Sequence, residues 1–168
     1  AFGEMFLVGP ITDYAKLYPD VFLDVEFDDR RVHLVEEGYD LVIRLGKLED
    51  SGLIARKLSD CPSLICASPA FLKNYGTPKN PEELKGLPAV HYKNSSNGLA
   101  LAYRNPAGKE GSIEITPAIY VNSMGMLIES TLKGIGFTQL PGIFCQPYIR
   151  DGRFQSLLPN YSIYPERG

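Results

Sequence analysis

The sequence is poor in the features that mark several protein classes. Its 168 residues hold three cysteines, Cys61, Cys66 and Cys145, an odd number with no CxxC pair. That argues against a disulfide framework and fits buried or idle thiols of a reducing compartment. Neither His33 nor His91 stands at ligand spacing, so no metal site is expected. There is no apolar run of about 18 residues, which excludes a membrane-spanning helix on sequence grounds. Positive charge is not in excess: the net charge is −3 and the pI about 5.4. Gripping nucleic acid needs clustered Lys and Arg, so these residues by themselves are not expected to do so. There is no GxSxG, no P-loop, no GxGxxG after a strand and no HExxH. No cofactor and no catalytic residue is therefore expected, and the chain is not expected to be an enzyme. His33 sits beside Arg31 and Glu36 and reads as a surface or interface residue. His91, next to Tyr92, has no acidic partner nearby in sequence.

What is present is ordinary globular material. Hydrophobic residues make up 44% and charged residues 22%. The length suits one large domain or two small lobes. The stretch Asp28 to Leu48 reads as one helix–strand unit. Asp28 or Asp29 can cap a helix carrying Val32, Val35 and Glu36, because a short carboxylate accepts bonds from free first-turn N–H groups. Gly38 ends that helix. Leu41-Val42-Ile43 is an apolar run of the kind found in a strand covered on both faces. Gly46-Lys47 is the polar exit, at the strand end where open α/β sheets bind ligands. The same order recurs later. Asn122-Ser123 caps a helix through Met124, Leu127, Ile128 and Leu132, which Gly134 closes. Ile135–Thr138 is the expected strand, and Gln139-Leu140-Pro141 its exit. Two similar α/β lobes, or one doubly wound sheet, would both produce this repetition.

Elsewhere, Ala1–Glu4 reads as a small loop, and Gly9-Pro10 starts a helix with Ile11, Tyr14, Ala15 and Tyr18 on one face. Val21–Phe27 alternates as a strand does. The helix and strand together suit either a self-association surface or packing on the chain's own sheet. Short strands are expected at Leu53–Leu58 and Ser63–Ala67. Ser68 caps a helix that Gly76 ends. A short helix falls at Pro81–Leu84 in a Pro-rich stretch that is the best candidate for a lobe boundary or excursion. Ala89–Tyr92 is a strand, and Leu99–Tyr103 with Ser112–Ile115 a hairpin about Asn105–Gly108. Ile119–Val121, a helix near Ile143–Tyr148, an apolar segment Phe154–Leu158 and a last strand near Ser162–Tyr164 complete the pattern.

Several of these runs, taken in order, resemble the regulatory domain of LysR-type transcriptional regulators. They are Tyr18-Pro19-Asp20-Val21, Asp29-Arg30-Arg31-Val32 through Glu36-Glu37-Gly38-Tyr39-Asp40-Leu41 to Gly46, and Cys66-Ala67-Ser68-Pro69-Ala70-Phe71-Leu72. Gly76-Thr77-Pro78, Pro81 and Leu84 come next, then Asn122-Ser123, Lys133-Gly134-Ile135-Gly136-Phe137, Leu140-Pro141, Asp151-Gly152-Arg153 and Tyr164-Pro165.

The resemblance implies an α/β fold of two Rossmann-like lobes, similar to type 2 periplasmic binding proteins, with an effector cleft between them. It implies lobe I over 1–68, lobe II over 69–160 and a return to lobe I over 161–168. The effector, a small molecule that often bears a carboxylate in this family, would meet Gly46, Lys47, Ser68, Tyr92, Asn122, Ser123, Gln139 and Pro141. Free N–H groups at the Ser68 and Ser123 helix starts favour an anion, and Lys47 adds charge. Gln139 reads equally well as an amide that braces its loop. Ile11, Tyr14, Tyr18, Val21, Phe22 and Leu23 would form a dimer interface within a tetramer or higher homo-oligomer. DNA would be met only through an N-terminal winged helix-turn-helix, in a cytoplasmic protein with no membrane partner. That segment, the domain's first strand and its usual terminal helix are expected to lie outside this sequence. A solute-binding protein of a transporter is the alternative on the same fold. An enzyme working through His91 and Tyr92, or a domain that only assembles, are weaker readings.

Overall fold

The computed structural model describes residues 2–28, 34–46, 52–93, 95 and 98–164. The chain divides into two compact units, Ala1–Gly46 and Lys47–Gly168.

In the first unit, helix α1 (Phe2–Phe6) replaces the expected loop. Phe2 and Phe6, one turn apart, bring their rings to 5.6 Å, and the Phe27 ring fills the space beside Gly3. Helix α2 (Val8–Leu17) carries the expected face, with Tyr14 and Tyr18 rings 4.7 Å apart. None of the unit's described residues is buried. Val21–Phe27 and Leu41–Ile43 are not strands. Alternation chooses a face, but a strand also needs a ladder partner, and none of the described residues of the unit forms one. The expected helix over Val32–Glu36 falls partly outside the described residues, and Leu34–Gly38 is a turn. It still ends as a helix does: Gly38 has φ +77°, and the Tyr39 N–H donates to Leu34 O at 3.0 Å, the six-residue bond of a Schellman ending. The Tyr39 hydroxyl donates to the Glu26 carboxylate.

The second unit holds every buried hydrophobic residue among those described. Its strands are β1 (Ser63–Ala67), β2 (Pro88–Tyr92), β3 (Ala100–Arg104), β4 (Glu110–Glu114), β5 (Thr116–Val121), β6 (Thr138–Pro141), β7 (Gln155–Leu157) and β8 (Ser162–Tyr164). One sheet runs β4-β3-β8-β1-β6, with β7 also on β1, and its pairs are antiparallel. A second sheet is the parallel pair β2 and β5. Phe137 joins them by a parallel bridge to Ala89, with the Val90 N–H donating to Phe137 O at 2.8 Å. Helices α3 (Pro69–Tyr75), α4 (Met124–Leu132) and α5 (Gly142–Arg150) complete the unit, with a 3-10 turn at Pro81–Leu84.

Local chemistry explains most of these elements. Ser68 Oγ accepts the Phe71 N–H at 3.4 Å, Pro69 opens α3 and Gly76 caps its end. Asn80 caps the 3-10 turn in the same way. The β3–β4 hairpin closes on Asn105, whose side-chain oxygen takes the Lys109 N–H at 2.9 Å. The core gathers Ile65, Phe71, Leu84, Leu101, Phe137 and Leu157. Two expectations fail here. Leu53–Leu58 is not a strand, and Ile54 is fully exposed. The strand expected at Ile135–Thr138 lies later, at β6. Gly134, at φ +77°, hands the Ile135 N–H back to Ser130 O, so the helix ending consumes Ile135. Gly136 then lies so close to β2 that a Cβ would meet Pro88 O at 2.6 Å. Cys66 and Cys145 are buried thiols and Cys61 is half-buried.

Candidate functional site

Strand direction decides which sequence-derived residues meet. β2 and β5 run parallel, with Tyr92 opposite Val121. The chain leaving Phe137 runs the same way. Tyr92, Asn122, Ser123, Gln139 and Pro141 therefore emerge at one end of the second unit, the carboxyl end of its parallel strands. Helix α4 begins there. Ser123 Oγ accepts the Met126 N–H at 3.4 Å, and Ser123 O accepts the Leu127 N–H at 3.0 Å. The other first-turn N–H groups have no acceptor within the helix, which favours an anion at this point. Asn122 and Ser123 are exposed, while Tyr92, Gln139 and Pro141 are half-buried. The Gln139 amide donates to Tyr164 O at 3.3 Å, so it braces β6 against β8 as well as flanking the site.

The remaining candidates fall elsewhere. Ser68 is buried, with its Oγ on the α3 cap and only 3.6 Å from where a Cβ would sit on Gly134. It lies at the carboxyl end of α4, whereas Ser123 lies at the amino end. Nine residues of helix at about 1.5 Å each put the two serines roughly 13 Å apart. Gly46 belongs to the first unit and is exposed, with φ +116°. Lys47 lies outside the described residues.

One residue absent from the sequence-derived group belongs with it. Lys93 directly succeeds Tyr92, is exposed, and its N–H donates to Val121 O at 2.7 Å. It places a cation at the same strand end. Its position immediately after β2 was the available signal. His91 packs edge-on against Tyr120, its cross-strand partner, with ring centres 5.6 Å apart. Burial holds its pKa below the ordinary histidine value. It has no carboxylate partner in that contact, so nothing there makes it a general base.

Two hollows in the second unit lie away from this end. One, of about 610 Å³, is lined by Lys85, Gly86, Leu99, Glu114 and Thr116, at the opposite ends of β2 and β5. The other, of about 350 Å³, is lined by Ser68, Glu129, Lys133 and Arg153. Among the described residues, no three His, Cys, Asp or Glu side chains group as a metal site would need, and no helix is long and apolar enough to cross a membrane.

The arrangement is that of an α/β ligand-binding domain, with polar groups at parallel strand ends and a helix amino terminus. Residues 1–167 match the family model of the LysR substrate binding domain, and the chain belongs to that family. Its α/β fold is that of LysR-type regulatory domains, which resembles type 2 periplasmic binding proteins. The regulatory domain of CrgA, a LysR-type transcriptional regulator from Neisseria meningitidis, is similar at TM-score 0.77 and 26% identity, over 97% of this chain and 83% of that one. Full-length AphB of Vibrio cholerae is similar in fold at TM-score 0.83 and 20% identity, over 96% of this chain and 54% of that one. In sequence, the chain is 32% identical to the HTH-type transcriptional regulator DmlR of Escherichia coli over 161 residues, 95% of this chain and 52% of that protein. It is 28% identical to an uncharacterized HTH-type transcriptional regulator of Haemophilus influenzae, over 99% of this chain and 60% of that protein. The chain thus spans between half and three fifths of the length of these curated relatives. They are transcriptional regulators by name, not enzymes or transport proteins.

Proposed function

We propose that the chain senses a small carboxylate-bearing metabolite for a LysR-type transcriptional regulator, and binds it where Tyr92, Lys93, Asn122, Ser123, Gln139 and Pro141 converge. The observation that carries this reading is the shared carboxyl end of β2, β5 and the Phe137 segment, with the α4 amino terminus beside it. Open first-turn N–H groups and the Lys93 ammonium complement an anion. Gly46 and Lys47 are part of the same proposal, as is the division into lobes at 1–68, 69–160 and 161–168. Strand Ser63–Ala67 pairs with β6, β7 and β8, so it is the element any test of that division has to place. Ser68 is left as the cap of α3.

In this reading the full protein works in the cytoplasm and reaches DNA through a segment outside this chain. The exposed face of Ile11, Tyr14, Tyr18, Val21, Phe22 and Leu23 pairs with a second copy. Phe22, 90% exposed, would be its anchor. The ligand acts by differential affinity for two states of the regulator.

A thermal-shift screen against small carboxylates tests the site. A ligand at about a hundred times its dissociation constant adds roughly 2.7 kcal/mol of stability. The shift is expected to vanish in Ser123→Ala and in Lys93→Glu. A carboxylate hit that survives both substitutions would contradict the placement.

A further inference from the structure

One polar group at these strand ends has no role so far. Ser63 opens β1, and β1 lies between β6 and β8. The register sets Ser63 directly opposite Pro141 on one side and Ile163 on the other, so the three side chains stand on one face of the sheet. Gln139, two residues before Pro141, stands on that face too. Its amide donates across β1 to Tyr164 O at 3.3 Å. Pairing with Pro141 also fixes the level of Ser63 along the strands. It lies at the carboxyl end of β2, β5 and the Phe137 segment, where the proposed effector site is. Ser63 is 4% exposed, and among the described residues its hydroxyl has no hydrogen-bond partner. A buried hydroxyl left unpaired is costly. The Thr138 hydroxyl, on the other face of β6, is unpaired and sealed from solvent. That of Ser63 is not sealed, so a solute can reach it. The Gln139 amide spends an N–H on Tyr164, and among the described residues its carbonyl oxygen remains an open acceptor.

We infer that Ser63 is a specificity-determining residue, and that the effector carries a hydroxyl group remote from its carboxylate. The inference rests on the site proposed above. In that site the carboxylate is held by the α4 amino terminus and Lys93, which follow β5 and β2. Strand β1 lies two strands beyond β2, with the Phe137–Pro141 chain between them, roughly 10 Å at about 4.8 Å per strand. The group that meets Ser63 is therefore a second one. Its chemistry follows from its partners. A hydroxyl accepts a bond from the Ser63 Oγ–H and donates one to Gln139 Oε1, so it satisfies both. A second carboxylate only accepts, and would face the Gln139 carbonyl oxygen. A methyl group would leave both polar atoms unpaired.

The test is calorimetric titration of the chain with pairs of acids that differ only by that hydroxyl: butyrate and gamma-hydroxybutyrate, hexanoate and omega-hydroxyhexanoate, phenylacetate and para-hydroxyphenylacetate. In a pair that binds, the hydroxylated member is expected to bind about tenfold more tightly. Ser63→Ala should bring the two members within about twofold of each other, and Lys93→Glu should weaken both. Two members that bind the unaltered chain equally, and are both lost in Lys93→Glu, would overturn the inference and leave the site standing. A preference that survives Ser63→Ala would overturn it as well. Acids that fail to bind, or that bind regardless of Lys93→Glu, would overturn the site and this inference with it. The comparison within pairs on the unaltered chain decides the matter if Ser63→Ala fails to fold.

Discussion

Leu34–Gly46 and Ser123–Pro141 end their first halves with the same bond. In each, a glycine at φ +77° lets the next N–H reach back five residues, Tyr39 to Leu34 and Ile135 to Ser130. Beyond the glycine the two segments part ways. After Gly134 the chain passes against β2, bridges Ala89 and joins the ladder of β1, burying Phe137 and Leu140. After Gly38, Leu41 stays exposed and no described residue of the unit pairs with Leu41–Ile43. A helix ending is local and needs about six residues. A strand is a relation between distant segments and is settled by what lies beside it.

Substitutions can sharpen or break this contrast. The largest effect should come from Phe137→Ala, which removes a buried ring at the junction of the two sheets. A loss of about 3–5 kcal/mol is expected in urea unfolding, against a change within about 0.5 kcal/mol for Leu41→Ala, exposed in the first unit and outside the proposed pairing face. Similar losses for the two would mean that the first unit has a core of its own. The next effect is at the glycines. Gly136→Ala forces a Cβ to 2.6 Å from Pro88 O and 2.9 Å from Ala89, and overpacking of this kind costs about 1–3 kcal/mol. Gly38→Ala meets open space and bears only the strain of its positive φ, about 1 kcal/mol. Equal losses would show that Gly136 is held less tightly than its contacts indicate.

The smallest effect is the pH dependence from His91. Its folded pKa lies below the unfolded value because burial disfavours the charged form. The unfolded chain therefore binds the proton first, and stability falls as pH drops from neutrality through the histidine range. His91→Gln should flatten that slope. An unchanged slope would assign it to other groups.

The same distinction governs what could be read from the sequence. Helix α3 was legible because Ser68-Pro69 and Gly76 mark both ends within nine residues. The β3–β4 hairpin was legible because Asn105–Gly108 can close it locally. The pairing of β8 with both β3 and β1 was not, since it joins residues some sixty and a hundred positions apart. At the proposed site, polar residues after strands singled out Tyr92, Asn122 and Ser123, which lie at one end of β2 and β5. Ser68 falls at the other end of α4, because sequence does not say whether β1 runs with or against its neighbours, and it runs against β6, β7 and β8. Lys93 is hard to single out in sequence because it opens a loop of Asn and Ser residues that are equally polar.

Amide hydrogen exchange with and without a carboxylate hit tests the central claim most directly. Added protection is expected at residues 92–93, 121–126 and 139–141, and none at 85–86 or 112–117 around the 610 Å³ hollow. Protection gained at 112–117, with 121–126 unchanged, would move the effector to the other end of the parallel strands and contradict the site proposed.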